Sequence, residues 1–243
     1  NLSIGNTATL RWTISNGGCT PSTDDVNIAV AAPPTTSNAG NDQNLCNTTT
    51  TNLQGNNPTI GTGAWSVITQ TATITTLTSY STGVTALSIG NTATLRWTIS
   101  NGACTPSTDD VTIAVDALPT TAAAGTDQNL CNVTTTQLSG NRPTTGTGTW
   151  SVLTGTATIT ALNSYSTTLT AMTVGSTTTL RWSIVNGTCT PSTDDITIVI
   201  AAPPTTAAAG TDQNLCNVTT TNLSGNAPTV GTGAWSLITG TAT

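Results

Sequence analysis

The chain has 243 residues, a formal net charge of −6 and only four basic residues. It therefore lacks the clusters of lysine and arginine that binding to nucleic acid or to an anionic membrane surface requires, and no apolar run approaches the ~20 residues of a membrane-spanning helix. Histidine, lysine, glutamate and phenylalanine are absent. Because the helix formers glutamate and lysine are missing while threonine, valine, isoleucine and tryptophan are plentiful, we predict an all-β fold.

The sequence repeats with a period of about 85 residues, as the positions of Trp65, Trp150 and Trp235 show, and a period of this size suits one small β-sandwich. A proline-containing linker follows each repeat, and proline stops the preceding strand from pairing further. We predict the C-terminal part of a repeat at 1–31, complete β-sandwich repeats at 32–116 and 117–201, and the N-terminal part of a repeat at 202–243.

Alternating and β-branched segments in the first complete repeat predict about seven short strands separated by turns. In chain order these strands are predicted at 39–46, 50–55, 63–69, 71–75 and 83–90, followed by a hairpin at 92–115. In this hairpin Leu95, Trp97 and Ile99 alternate with polar residues, which is typical of a half-buried strand. Asn101 and Gly102 tolerate positive φ, so we expect a tight turn between its two strands.

The incomplete repeats at the two ends have two explanations, since a front half alone cannot close a core. The sequence is a section of a longer tandem array, whose partners are further repeats of the same chain. Alternatively, the end of one copy completes the start of the next in a head-to-tail polymer. A heterologous contact of that kind builds an open filament.

The six cysteines recur in the same rhythm, without histidine and without a CxxC motif. This pattern favours disulfides in an oxidising compartment over metal binding. We expect two pairs within complete repeats, Cys46–Cys104 and Cys131–Cys189, with Cys19 and Cys216 pairing outside this sequence or with a neighbouring chain. A domain stapled in this way folds alone. The alternative register joins Cys19 to Cys46 across the linker and pairs all six cysteines inside the chain.

The aromatic residues divide into two groups. Four tryptophans lie on the apolar side of alternating strands, and we expect them in the cores, one from each sheet of a sandwich: Trp65, Trp97, Trp150 and Trp182. Tyr80 and Tyr165 lie in polar loops and are the candidates for an exposed ligand contact. Many weak sites of this kind along an array would bind a surface glycan by avidity.

Three carboxylates of the first complete repeat, Asp42, Asp109 and Asp110, are weak candidates for a calcium site, because calcium prefers oxygen ligands. The alternative is that aspartate caps turns and keeps a threonine-rich surface soluble. We otherwise expect no metal and no cofactor. Arg96 points to the outer side of the predicted hairpin, where we expect it to pair with Asp109 or Asp110.

Catalysis has few residues to work with. Histidine, lysine and glutamate are missing, and no thiol remains once the cysteines pair. Serine and threonine are abundant but lack a general base. Adjacent aspartates on a strand point to opposite faces, which argues against a carboxylate pair that shares a proton. We therefore expect no enzymatic activity.

Five ordered motifs together resemble a known family of repeats. They are AGTDQNLC (124–131), LSGN (138–141), GTGTWSV (146–152), TLRWSIVNGTC (179–189) and STDDITIVI (192–200). The set resembles the PKD-like, immunoglobulin-like repeats of giant surface proteins of Bacteroidota, including the gliding-motility adhesins exported by the type IX secretion route. The resemblance implies tandem immunoglobulin-like β-sandwiches at the cell surface, in the extracellular space, and it supplies no catalytic residues.

The near-identity of the three copies favours a structural function, because a regular array needs equivalent units. We expect a segment of a long extracellular fibre or adhesin stalk. The alternatives are an array of glycan- or partner-binding modules that acts by avidity, and the subunit of a head-to-tail filament completed by a neighbouring chain.

Overall fold

The computed structural model of the protein describes residues 1–241. It contains two compact units, each described by itself below. The first unit comprises Asn1–Leu118 together with the short segment Asn186–Thr190, and the second comprises Pro119–Val185 together with the chain from Pro191 onward. Among residues 1–241 there is no helix long and apolar enough to cross a membrane.

The first unit begins with an antiparallel hairpin and continues with the seven strands of a sandwich. The hairpin consists of β1 (Thr7–Ile14) and β2 (Ser22–Ala29). The sandwich strands are β3 (Gln43–Cys46), β4 (Thr51–Gln54), β5 (Thr62–Thr69), β6 (Thr73–Ile74), β7 (Ser81–Thr85), β8 (Asn91–Ser100) and β9 (Ser107–Asp116). They form a four-stranded sheet in the order β3-β9-β8-β5 and a three-stranded sheet in the order β4-β7-β6. The predicted all-β fold is confirmed.

The first and last strands of this sandwich, β3 and β9, lie side by side and run parallel, whereas the other neighbours pair antiparallel. Cys46 at the end of β3 therefore lies opposite Asp116 at the end of β9. The loop that joins β8 to β9 lies at the other end of the sheet. This topology decides which cysteines can meet.

The core of the first sandwich follows from the alternation in β8. Leu95, Trp97 and Ile99 are fully buried, because every second side chain of a strand points to the same face. Leu53 and Val84 cover them from the three-stranded sheet and are also fully buried. The polar residues between them in β8 are partly exposed.

The four tryptophans that the sequence places in the cores are buried there, but the expectation that the two of each core come from opposite sheets is wrong. Trp65 on β5 lies directly opposite Trp97 on β8, because these strands are neighbours in the four-stranded sheet. The ring centroids are 5.0 Å apart and the planes are inclined at 39°. Trp150 and Trp182 repeat this arrangement in the second unit with the same distance and angle.

The connection between β8 and β9 is longer than the tight turn that Asn101 and Gly102 predict. It spans residues 101–106, and the Cys104 backbone N–H donates to the Asn101 carbonyl at 3.1 Å. Gly102 has φ +54°, as expected for the residue that turns the chain. The longer loop extends Asn101 and Cys104 beyond the end of the sheet.

The second unit has the same topology. Its strands are β10 (Gln128–Cys131), β11 (Thr136–Ser139), β12 (Thr147–Thr154), β13 (Thr158–Ile159), β14 (Ser166–Thr170), β15 (Thr177–Val185) and β16 (Ser192–Ala201). They form sheets in the orders β10-β16-β15-β12 and β11-β14-β13. The described residues that follow, 202–241, contain no strand.

Two incomplete regions leave apolar side chains exposed. Trp12 on β1 is 71% exposed, whereas Trp97 at the equivalent position of the complete repeat is 0% exposed. Trp235 in the segment 202–241 is 57% exposed, and its equivalent Trp65 is 3% exposed. Both tryptophans are therefore exposed in this structure, unlike their equivalents in the complete repeat.

Candidate functional site: a disulfide junction

Cys46 is bonded to Cys189, with an S–S distance of 2.01 Å and a Cα–Cα distance of 5.0 Å. The expected pairs Cys46–Cys104 and Cys131–Cys189 are therefore wrong. The alternative pair Cys19–Cys46 is not formed either, because Cys46 is already bonded. Both bonded residues belong to the first unit, since the loop 186–190 packs with it.

The strand register explains why a repeat does not staple to itself. Cys46 lies opposite Asp116, the last residue of β9, whereas Cys104 precedes Ser107, the first residue of β9. Ten residues of extended strand span about 30 Å, and a disulfide needs Cα atoms within about 7 Å of each other. The same register holds in the second unit, where Cys131 lies opposite Ala201.

The Cys189 loop is held by polar contacts around the disulfide. The Asn186 side-chain amide donates to the Ala117 carbonyl at 2.8 Å, and the Thr188 backbone N–H donates to the Asp116 carboxylate at 2.8 Å. The Thr188 hydroxyl donates to the same carboxylate oxygen at 3.1 Å. Cys189 is 4% exposed. These contacts place the Cys189 sulfur beside the end of β3, where Cys46 lies.

Gly187 allows the loop to approach so closely. Its φ is +52°, a conformation that costs glycine little. A Cβ atom at this position would lie 1.9 Å from the Asp116 carboxylate. The turn pair Asn-Gly is therefore required by the docked loop.

The Cys104 loop has the same environment, although Cys104 is not bonded. The Asn101 side-chain amide donates to the Ala32 carbonyl at 2.8 Å. The Cys104 sulfur lies 3.5 Å from the Ala31 carbonyl oxygen and 3.3 Å from that of Ala32. The corresponding distances from the Cys189 sulfur to the carbonyl oxygens of its own linker are 3.7 Å and 3.4 Å. Relative to its own linker, Cys104 thus occupies the same position as the bonded Cys189.

The remaining cysteines of the described chain are unbonded in this structure. Cys19, Cys131 and Cys216 are exposed, and Cys104 is partly exposed. Cys131 occupies the position of Cys46 in the second unit, at the end of the first strand of its sandwich. The cysteines therefore fall into two classes, one at the end of an opening strand and one in a hairpin loop.

Sequence patterns alone do not reveal the residues that dock the loop. The sequence predicts only a turn at Asn101, but its side chain and that of Asn186 bind the linker that precedes the same repeat. Asp116 stands where the other copies have alanine, and its partner Thr188 stands where the preceding copy has Ala103. This joint change between copies is the available signal that the two positions lie in contact.

The aspartates considered for calcium are each engaged elsewhere. Asp110 forms a bidentate ion pair with Arg96, at 2.7 and 2.8 Å. Asp109, on the opposite face of β9, accepts from the Ala39 backbone N–H at 2.7 Å, and Asp42 accepts from the Thr112 backbone N–H at 2.8 Å. Within residues 1–241, no group of three or more acidic, cysteine or histidine side chains is arranged to hold a metal ion.

These contacts lower the pKa of two carboxyl groups. The hydrogen bond from Arg96 holds the pKa of Asp110 below its ordinary value, and the hydrogen bond from Thr112 does the same for the pKa of Asp42. Hydrogen bonds to the ionised form favour that form. Asp42 and Asp109 thus fasten the start of the repeat to β9, and Asp110 braces the hairpin on its outer face.

Tyr80 and Tyr165 are each 43% exposed and lie in equivalent loops. Their backbone carbonyls accept from Gly55 and Gly140, both at 2.8 Å. The structure places the two tyrosines in different units, so each unit presents a single exposed tyrosine of this loop.

Comparisons with known proteins identify the fold. No protein-family model matches the sequence, and no curated protein matches it. Among solved structures, murine CEACAM1b has a TM-score of 0.50 at 13% identity, covering 65% of this chain and 95% of its own. The extracellular domains 3-5 of Drosophila OTK have a TM-score of 0.48 at 8% identity, covering 80% and 71%.

A third similar structure is the PKD domain from the KIAA 1837 protein, with a TM-score of 0.30 at 19% identity, covering 38% of this chain and 92% of its own. At such identities the likeness concerns the fold. The chain contains immunoglobulin-like β-sandwiches in tandem. Its distinguishing feature is the disulfide between an opening-strand cysteine and a hairpin cysteine one repeat further along.

Proposed function

We propose that this chain is a force-transmitting segment of an extracellular fibre or adhesin stalk, in which disulfides join successive β-sandwich repeats. The observation that carries the proposal is the Cys46–Cys189 bond, which links positions 143 residues apart. Structural disulfides of this kind are typical of oxidising, extracellular compartments. The resemblance of the sequence motifs to giant Bacteroidota adhesins supports the same location.

The bond changes what happens when the chain is pulled from its ends. Tension passes from Cys46 directly to Cys189, so the residues between them do not extend even when their sandwich unfolds. Fully extended, 143 residues span about 500 Å. In the chain-entropy model, closing a loop of this size stabilises the folded state by about 5 kcal/mol. Both effects suit a shaft that transmits force.

The proposed stalk has no catalytic function. Asp42, Asp109 and Asp110 are engaged in hydrogen bonds and an ion pair, and the sequence contains no histidine or lysine. A stalk needs none of these groups. The near-identical copies also suit a spacer better than a single specific binding site.

Single-molecule force spectroscopy tests this function. We expect the oxidised chain, pulled from its two ends, to unfold without releasing the length between Cys46 and Cys189. Treatment with a thiol reductant should then add about 500 Å of extension. Cys104→Ser is the matched control, because Cys104 makes no disulfide in this chain. Equal extension before and after reduction would refute the proposal.

A further inference from the structure

We propose that the second repeat carries a binding site for an acidic saccharide, in a groove beside Tyr165. The groove has a volume of about 490 Å³, a size typical of small-ligand sites. It lies between the segment that leads into β12 and the loop that precedes β14, and its lining includes Arg142, Thr149, Asn163 and Tyr165. The site lies away from the disulfide junction, so it adds a binding function to the proposed stalk.

Arg142 supplies the charge that an acidic ligand needs. It is exposed, and within residues 1–241 it forms no ion pair, whereas each of the other three arginines pairs with an aspartate. A guanidinium group presents its N–H donors in a planar fork that matches a carboxylate or a sulfate. Because Arg142 is the one charged residue that lines the groove, it favours a ligand with isolated anionic groups over a nucleic acid, which needs clustered cations.

Two polar side chains of the groove orient each other. The Thr149 hydroxyl donates to the Asn163 Oδ1 at 3.1 Å. The Asn163 Nδ2 makes no hydrogen bond within the described part of the chain, so its two N–H groups are free to bind sugar hydroxyls. Thr147 adds a further exposed hydroxyl to the lining. The groove therefore offers both donors and acceptors to a saccharide.

Tyr165 gives the groove an aromatic wall on an anchored loop. The residue is 43% exposed, and its ring combines an apolar face, on which the C–H face of a pyranose packs, with a polar hydroxyl. The Gly140 backbone N–H donates to the Tyr165 carbonyl at 2.8 Å, and the Trp150 indole N–H donates to the Ser164 carbonyl at 3.1 Å. Because these bonds already hold the loop, binding requires little further ordering.

A saccharide fits this groove better than an extended peptide does. A peptide would bind here by adding a strand to the edge of the sheet, and β12 is an edge strand. On that edge the Trp150 backbone N–H already donates to the Leu162 carbonyl at 2.8 Å. Recognition is therefore left to the side chains, which supply hydroxyl, amide, aromatic and guanidinium groups.

The first repeat provides an internal comparison for this site. Tyr80, the equivalent of Tyr165, is also 43% exposed. The positions of the other three side chains carry Asn57, Ala64 and Thr78. The first repeat thus keeps the aromatic residue but lacks both the cation and the threonine–asparagine pair. We expect one site per chain, in the second repeat.

Isothermal titration calorimetry of the oxidised full chain tests the site. Tetragalacturonate carries carboxylates and a κ-carrageenan tetrasaccharide carries sulfates, so these two probes distinguish the sources of the charge. Fully methyl-esterified tetragalacturonate is the uncharged match, and hexaglutamate is an anionic peptide. We expect at least one acidic saccharide to bind with one site per chain, about tenfold or more tightly than the methyl ester and hexaglutamate.

Arg142→Asn removes the cation and installs the residue of the first repeat. We expect this variant to bind the acidic saccharide about tenfold or more weakly, with unchanged thermal unfolding because the Arg142 side chain is exposed and unpaired among the described residues. Tyr165→Ala should also weaken binding. Asn57→Ala is the matched control, since it alters the equivalent position of the first repeat, and it should leave binding unchanged.

The site can also be transferred to the first repeat. The triple variant Asn57→Arg, Ala64→Thr, Thr78→Asn changes only exposed positions, and we expect it to bind two saccharides per chain. A single site in this variant would contradict the roles given to these side chains.

Three results would overturn the inference: no binding of either acidic saccharide at millimolar concentration, equal binding of hexaglutamate, or unchanged affinity in Arg142→Asn. None of these variants alters a cysteine, so the extension test of the stalk does not depend on the outcome.

Discussion

Gly63 is the position where a single added carbon should disturb a complete sandwich most. A Cβ at Gly63 would lie 2.1 Å from Cζ2 and 2.4 Å from Cη2 of Trp97. These atoms belong to a rigid, fully buried ring. Ordinary van der Waals contact begins near 3.4 Å. In the Gly63→Ala variant the Trp97 indole must therefore move away from the new Cβ until their separation rises from 2.1 Å to about 3.4 Å.

That movement affects two further contacts of Trp97. Its indole N–H donates to the Asn56 carbonyl at 3.2 Å, and its ring packs against Trp65 at 5.0 Å. Overpacking of a core costs about 1–3 kcal/mol, and the loss of one hydrogen bond costs about 1 kcal/mol. We expect Gly63→Ala to lower the free energy of unfolding of the first unit by about 2–4 kcal/mol.

Differential scanning calorimetry distinguishes the two units and thereby checks the location of the effect. Gly63→Ala should shift the transition of the first unit, and Gly148→Ala should shift that of the second, since its Cβ would lie 2.1 Å from the Trp182 ring. Gly233→Ala, at the equivalent position of the third copy, is the matched control, because its Cβ would meet no atom within 4 Å. A free energy of unfolding for Gly63→Ala within about 0.5 kcal/mol of the original would refute the packing argument.

Two further outcomes are expected. Because Arg96 lowers the pKa of Asp110 below its ordinary value, the ion pair contributes stability above that ordinary value, and the contribution is lost as the pH falls through the lowered pKa. Asp110→Asn should therefore show a weaker acid dependence in circular dichroism titrations below about pH 4, and parallel curves would contradict this. Asp116→Ala should leave the Cys46–Cys189 bond intact, because the other loop docks on alanine at similar distances; peptide mapping that finds Cys46 free would show that the carboxylate is required.

Much of the fold could be predicted because it is written in local patterns. Alternation of apolar and polar residues in the hairpin at 92–115 determines which side chains enter the core, and β8 and β9 lie within one residue of the predicted limits. Strand alternation is a property of the backbone, so it needs no knowledge of neighbours. The same alternation places Arg96 on the outer face, where it pairs with Asp110.

The tryptophan arrangement and the disulfides depend on strand order, which local patterns do not contain. Alternation shows that Trp65 and Trp97 face a core, but only the pairing of β5 with β8 shows that they share a sheet. In the same way, the sequence shows an opening-strand cysteine and a hairpin cysteine in each repeat. Only the parallel pairing of β3 with β9 shows that these two lie at opposite ends of the sandwich.

The offset of the disulfide has a mechanical consequence that pairing within a repeat would not have. Under the expected intradomain pairing, the stretch between Cys104 and Cys131 lies outside every closed loop, and each repeat would lengthen through it under load. With the observed offset, the loop closed by Cys46 and Cys189 ends well beyond Cys131, the opening-strand cysteine of the second repeat. The stretch between Cys104 and Cys131 therefore lies inside the closed loop. If Cys131 bonded in the same register, the successive loops of an array would overlap. An array linked throughout in this way would transmit tension through its disulfides even when one sandwich opens.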